Sequence, residues 1–258
     1  MKKFVWCALV SPVLLTACGT PAQASPNQHH RKAVLAQSSS RVLVPRTTRS
    51  PTNPHGGSQA VFSSAIRSAI HQLTLASLPI LAPTGSAVQK VLQVSQTGSS
   101  GYNIDIALKD GLAVSFGGQH YASAVEAAGQ MEQLVIVTPG PGSPTPLGYG
   151  ITAGSFPNMP LISWTEHHWI IEVSASPGIP AAVLQAPARQ IAEILHRELL
   201  PPTTFGVLNW AAGGNGQDSI DLSWQQGPDA YWINESHDGY VSAAVSLAAA
   251  MRLVPSNP

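Results

Sequence analysis

Ser163-Trp164-Thr165-Glu166-His167-His168-Trp169-Ile170-Ile171-Glu172 has an echo further along the chain, in Ser223-Trp224 and Trp232-Ile233-Asn234-Glu235. The Ser-Trp pair returns after sixty residues and the Trp-Ile-x-Glu run after sixty-three, so the intervening turn would have to absorb the difference. Self-similarity at a nearly constant spacing marks a repeated supersecondary unit. Each copy runs into apolar residues at helical spacing. In the first these are Ile191, Ile194, Leu195 and Leu199, with Pro187 at an allowed first-turn position; in the second they are Val241, Ala244, Val245, Ala248 and Met251. Leu200-Pro201-Pro202 separates the copies. This reading gives two βββα units, about 145–200 and 204–253, and hence an α+β fold: an antiparallel sheet with helices packed on one face.

On the N-terminal side the same logic continues. Val61, Phe62, Ala65, Ile66, Ala69, Ile70 and Leu73 fall on one helical face, with Ser58 placed to cap and Pro79 to stop the pattern. Val88 to Val94, Tyr102 to Leu108 and Leu112 to Phe116 read as strands, the last two joined through Lys109-Asp110-Gly111, a hairpin signal. Alternation places Tyr102, Ile104, Ile106 and Leu108 on one face and Asn103 and Asp105 on the other, so the sheet has a wet side. Tyr121 to Gly129 reads as an Ala-rich helix, Leu134 to Val137 as a buried strand, and Thr138 to Pro146 as a Pro/Gly loop.

Of 258 residues only 10% are charged, and Gly and Pro contribute 22 each. No apolar run approaches the ~20 residues of a membrane span, which excludes a polytopic membrane protein. Charge is bipolar. Residues 19–104 carry Arg31, Lys32, Arg41, Arg46, Arg49, Arg67 and Lys90 with no acid, whereas residues 105–258 hold all 13 acids against four bases, a balance of −9. An acidic folded part with no basic groove excludes nucleic acid as a partner. Residues 18–58 read as a basic linker, with Pro21, Pro26, Pro45, Pro51 and Pro54, a Ser38-Ser39-Ser40 run and no aromatic residue. As a coil such a length reaches roughly 35 Å. The simplest reading of its charge is solvation; contact with anionic lipid or wall polymer is the functional one. The folded part is expected over 59–258.

Lys2 and Lys3 precede an apolar stretch from Phe4 to Leu15, too short to span a bilayer and interrupted by Pro12, which is the layout of a signal peptide. Leu15-Thr16-Ala17-Cys18 then resembles a bacterial lipobox. That resemblance implies cleavage after residue 17, a diacylglycerol thioether on Cys18, and a lipid anchor on the extracytoplasmic face of the cell membrane, or in the outer membrane of a Gram-negative cell. Cys7 lies in the removed peptide, so no disulfide, thiol nucleophile or Cys-based zinc site is available to the mature chain. The part from about 80 to 253 resembles Gram-positive envelope lipoprotein domains of unassigned activity that carry a Trp hairpin, an amphipathic helix, a Leu-Pro-Pro link and a second copy. The resemblance implies a fold and transfers no catalytic residue.

Signatures of catalysis are missing from the sequence: there is no Gly-x-Ser-x-Gly elbow, His-Glu-x-x-His pair, Ser-x-x-Lys motif or phosphate-cradling Gly-x-x-x-x-Gly-Lys. Glu166-His167-His168 falls where a hairpin would turn, and consecutive strand residues point to opposite faces, so no metal site and no cofactor is expected there. Asp218 and Asp221 read as hairpin-end charges. Five of six Trp lie between 164 and 232. If Trp169 and Trp232 are equivalent and inward, His168 and Tyr231 hold matching outward places and form the candidate binding surface. The expected function is therefore a membrane-anchored, non-enzymatic binding or accessory module of the cell envelope, its partner an envelope protein or wall polymer. The alternative is a cell-wall-directed hydrolase.

Overall fold

Alternating apolar and polar residues in short runs, punctuated by Gly and Pro, build one long sheet. The computed structural model describes residues 61–255 apart from 86, 138–141, 157, 177, 214–216 and 236–239, so the expected signal peptide, Cys18 and the expected linker lie outside the described residues. Three strands come first after the opening helix α1 (Ser64–Ile70) and a short strand β1 (Leu81–Pro83): β2 (Val88–Thr97), β3 (Gly101–Leu108) and β4 (Ala113–His120). Helix α2 (Ala124–Glu132) leads to β5 (Ser143–Gly148), β6 (Ile151–Phe156), β7 (Leu161–Glu166) and β8 (Trp169–Ala175). Helix α3 (Gln185–Arg197), strands β9 (Phe205–Ala212), β10 (Ser219–Gln226) and β11 (Asp229–Glu235), helix α4 (Val241–Ala250) and β12 (Met251–Leu253) complete it. Ten strands join in the order β2-β3-β4-β11-β10-β9-β8-β7-β6-β5. Neighbours are antiparallel except β8 and β9, which are parallel, as a crossover through α3 requires. β1 and β12 form a separate two-stranded pair.

The helices do not share one face. Tyr102, Ile104, Phe116, Ile171, Leu208, Trp224, Tyr231 and Ile233 pack in one cluster with the buried residues of α1, α3 and α4. Helix α2 instead sets Met131 against Val207 and Ala230. Val207 neighbours Leu208 along β9 and must point to the other side. The reason is compositional: near the β9–β11 end the second face carries Phe205, Val207 and Ala230, apolar area that α2 removes from water. Ser123 caps α2 by accepting from Glu126 N at 3.1 Å, while the Glu126 carboxylate takes Ala122 N at 3.0 Å.

The paired tryptophans also differ from expectation. Both hairpins turn through two residues, His167-His168 and Gly227-Pro228, with positive φ at the first of them, 56° and 64°. That is the pattern of a type II′ turn. Equal turns leave no room for three extra residues, so the sixty-residue offset continues and Asp229, not Trp232, matches Trp169. Trp232 therefore lies on the polar face, and Tyr231 is the inward residue, 1% exposed. In register, Trp169, Gly206, Trp224 and Tyr231 form a row across β8–β11. Ring centroids are 6.3 Å apart for Trp169–Trp224 and 5.9 Å for Trp224–Tyr231. Gly206 makes the row possible, because a Cβ there would lie 2.5 Å from Trp169 Cδ2.

Two further differences concern residues 134–148. Leu134 to Val137 forms no strand; the amides of Ile136 and Val137 donate to Glu172 Oε2 and Oε1 at 2.8 and 2.9 Å. Part of the expected loop is strand β5, at the sheet edge, where Pro144 and Pro146 can forgo ladder donors.

Candidate functional site

One large cleft lies beside the aromatic row. Its volume is about 850 Å³, inside the range of small-molecule sites. Five pieces of chain build it. The β7–β8 turn brings Glu166, His167, His168 and Trp169; the end of α3 and its link to β9 bring Leu195 and the run from Glu198 to Thr203; β10 brings Trp224; the end of α4 with β12 brings Ala248, Ala249 and the run from Met251 to Leu253; and β1 brings Leu81. Each piece is held by identifiable bonds. Trp169 Nε1 donates to Pro201 O at 3.2 Å, tying the turn to the Leu200-Pro201-Pro202 link. Thr84 N and Oγ1 both donate to Ala250 O at 3.0 Å, holding β12 against β1. Arg252 Nη1 donates to Ala249 O and Met251 O at 2.7 Å, so its charge closes the end of α4.

The walls are mostly apolar. Leu199 is 80% exposed and Leu253 58% exposed, large aliphatic side chains left in water at the rim. Two of the lining residues each keep a buried polar atom without a partner, Trp224 Nε1 and Glu166 Oε2. Trp224 is wholly buried as a residue. A buried N–H or carboxylate oxygen without a partner costs free energy, on the order of 1–3 kcal/mol or more for a charged group. Glu198 differs: its Oε2 accepts from Ser246 Oγ at 2.7 Å, linking α3 to α4.

His168 lies in the cleft wall and is exposed. Tyr231 does not line the cleft. It is buried, its hydroxyl donates to Pro79 O at 3.0 Å, and burial pushes its phenol far above the ordinary range. The two therefore do not make one surface. Asp218 precedes β10, and Asp221 lies within it, opposite Asn209 and Asn234, not opposite a second carboxylate. Among the described residues no group of three or more His, Asp or Glu is placed to hold a metal. The Glu166-His167-His168 turn was legible as a sequence feature, but the cleft around it was not, because its walls come from segments as distant as Leu81 and Leu253.

The chain matches no protein-family model, and no curated protein or solved structure is significantly similar to it.

Proposed function

We propose that this protein is a lipid-anchored envelope protein whose folded part is a non-enzymatic binding module, and that the cleft takes an elongated apolar ligand bearing a hydroxyl. One observation carries the ligand reading: a mostly apolar cleft of about 850 Å³ lined by Leu195 and Met251, rimmed by the exposed Leu199 and Leu253, with Glu166 and His168 as polar residues of its wall. A hydroxyl meets the polar side of that wall, at Glu166 or His168, while an aliphatic chain covers Leu195, Leu199 and Met251. The anchor rests on Leu15-Thr16-Ala17-Cys18 and the preceding apolar stretch; among the described residues no helix is long and apolar enough to cross a membrane. The sixty-residue return of Ser163-Trp164 as Ser223-Trp224, each on the strand before a two-residue turn, supports two copies of one hairpin–helix unit.

The test is titration of the purified full chain with a fluorescent long-chain fatty alcohol. Leu199→Glu places a carboxylate at the exposed rim, where it disturbs no packing, and should weaken binding at least tenfold with unchanged thermal unfolding, about 1.4 kcal/mol. Equal affinity for both proteins would overturn the cleft reading. Cleavage of wall glycan or peptide by the purified protein, lost in Glu166→Gln, would replace binding by hydrolysis.

A further inference from the structure

The face opposite the aromatic row carries a second, chemically different site. Register aligns one residue from each of eight strands: Gln93, Asp105, Ser115, Asn234, Asp221, Asn209, Glu172 and Ser163. Residues directly opposite one another on adjacent strands hold their Cβ atoms about 4.5–5.5 Å apart, so the row is a continuous polar band. Two of its carboxylates, Asp105 and Glu172, are internally satisfied. Asp105 Oδ1 accepts from Asn103 Nδ2 at 2.8 Å and from Ser115 Oγ at 2.6 Å. Glu172 takes the amides of residues 136 and 137.

The middle is not satisfied. Among the described residues Asp221, Ser223 and Asn234 have no side-chain partner, and Asn209 spends only its Nδ2, on Leu134 O at 2.9 Å, leaving Oδ1 buried and alone. These groups line a cavity of about 360 Å³, together with Val207 and the indole of Trp232. The indole is pinned. It lies over Gly117, where a Cβ would come within 2.5 Å of it, and Nε1 donates to Asn103 Oδ1 at 3.3 Å.

We infer that this cavity is a saccharide-binding site, in which the Trp232 indole takes the apolar side of a sugar ring and Asp221, Ser223 and Asn234 take its hydroxyls. The class follows from the donor set. Amide and hydroxyl groups both give and receive hydrogen bonds, as do sugar hydroxyls, and one open carboxylate accepts from two of them. An anion would face Asp221 with no Lys or Arg in the lining. A simple cation would meet only one free carboxylate and would be opposed by the Asn N–H donors. Aromatic surface with a few convergent polar groups is how small ligands are oriented. The site does not depend on the apolar cleft, which lies on the other face of β10.

The experiment is calorimetric titration of the full chain with a soluble glucose oligomer and an N-acetylglucosamine oligomer. At least one should bind, with an affinity indifferent to salt. Asp221→Asn keeps the side-chain shape at an exposed position and should weaken binding about tenfold; Trp232→Ala should abolish it, with folding checked by thermal unfolding. Leu199→Glu should leave sugar binding intact even if the fatty alcohol no longer binds, which separates this site from the cleft. No sugar binding at millimolar concentration overturns the inference, and so does unaltered affinity in Asp221→Asn. Binding of an alkylammonium ion alone, weakened by salt, overturns it in favour of a cation site.

Discussion

Gly206→Ala should destabilise the protein although it adds only a methyl group. The added Cβ would lie 2.5 Å from Trp169 Cδ2 and 2.7 Å from Cε2 and Cε3, against about 3.5–4.0 Å for an unstrained carbon pair. The ring must therefore retreat by about 1 Å. It has little freedom to do so: Trp169 is 4% exposed, its Nε1 holds Pro201 O, and Trp224 is its neighbour in the row. Overpacking of this kind costs ~1–3 kcal/mol, and replacing a strand Gly by Ala returns ~0.5–1 kcal/mol of backbone entropy. The net expectation is a loss of about 1–2 kcal/mol, or a midpoint lower by about 2–8 °C. Trp169→Ala alone should cost ~3–5 kcal/mol. In that background the methyl added by Gly206→Ala meets no ring and should stabilise, so the pair is coupled by more than about 1 kcal/mol. Urea titrations of the four proteins measure this. A neutral or stabilising Gly206→Ala in the otherwise unchanged chain would refute the close-packed row, and so would simple additivity.

Three more outcomes are expected. Tyr102→Phe should cost about 2–3 kcal/mol and Tyr231→Phe about 1 kcal/mol, because the Tyr102 hydroxyl serves both Leu81 N and Leu81 O, at 3.0 and 2.9 Å, whereas Tyr231 serves only Pro79 O; equal unfolding free energies would contradict it. Burial raises the Glu172 carboxyl above its ordinary 4.5, against the two amide bonds that lower it, so the native state binds its proton more tightly than the unfolded chain. Its stability contribution is then greatest at low pH and is lost as pH rises from about 4.5 through the raised native value. The difference in unfolding free energy between wild type and Glu172→Gln should fall over that window and then level off; a difference that rises with pH would have the sign wrong. Cys18→Ala should accumulate as an uncut precursor that takes up no labelled lipid, and normal labelling of it would remove the proposed anchor.

What could be read in advance was what depends on local pattern. Tyr102 to Leu108 alternates apolar and polar residues, and β3 occupies Gly101–Leu108; Ile191, Ile194 and Leu195 share a helical face, and α3 runs through them. What could not be read depends on partners far along the chain. Leu134 to Val137 is an apolar run like any buried strand, yet its amides answer to a carboxylate at residue 172. Trp232 resembles Trp169 in its neighbours, but the two-residue turn decides which side of the sheet it occupies, and one residue of register reverses every side chain. Pro144 and Pro146 looked like loop residues because a sequence does not reveal which strand will stand at an edge. The cleft needed Leu81 and Leu253 to meet, and nothing near either residue announces the other.

That meeting bears on time. Leu81 pairs with Leu253 and Pro83 with Met251, a closure spanning nearly the whole described chain, and closures of such long loops come late in folding. The hairpins of the sheet can form as each pair of strands becomes available, but the cleft has no rear wall until the segment through residue 253 has been synthesised and released. A chain that lacks residues 251–253 therefore keeps its local hairpins but is missing one side of the cleft.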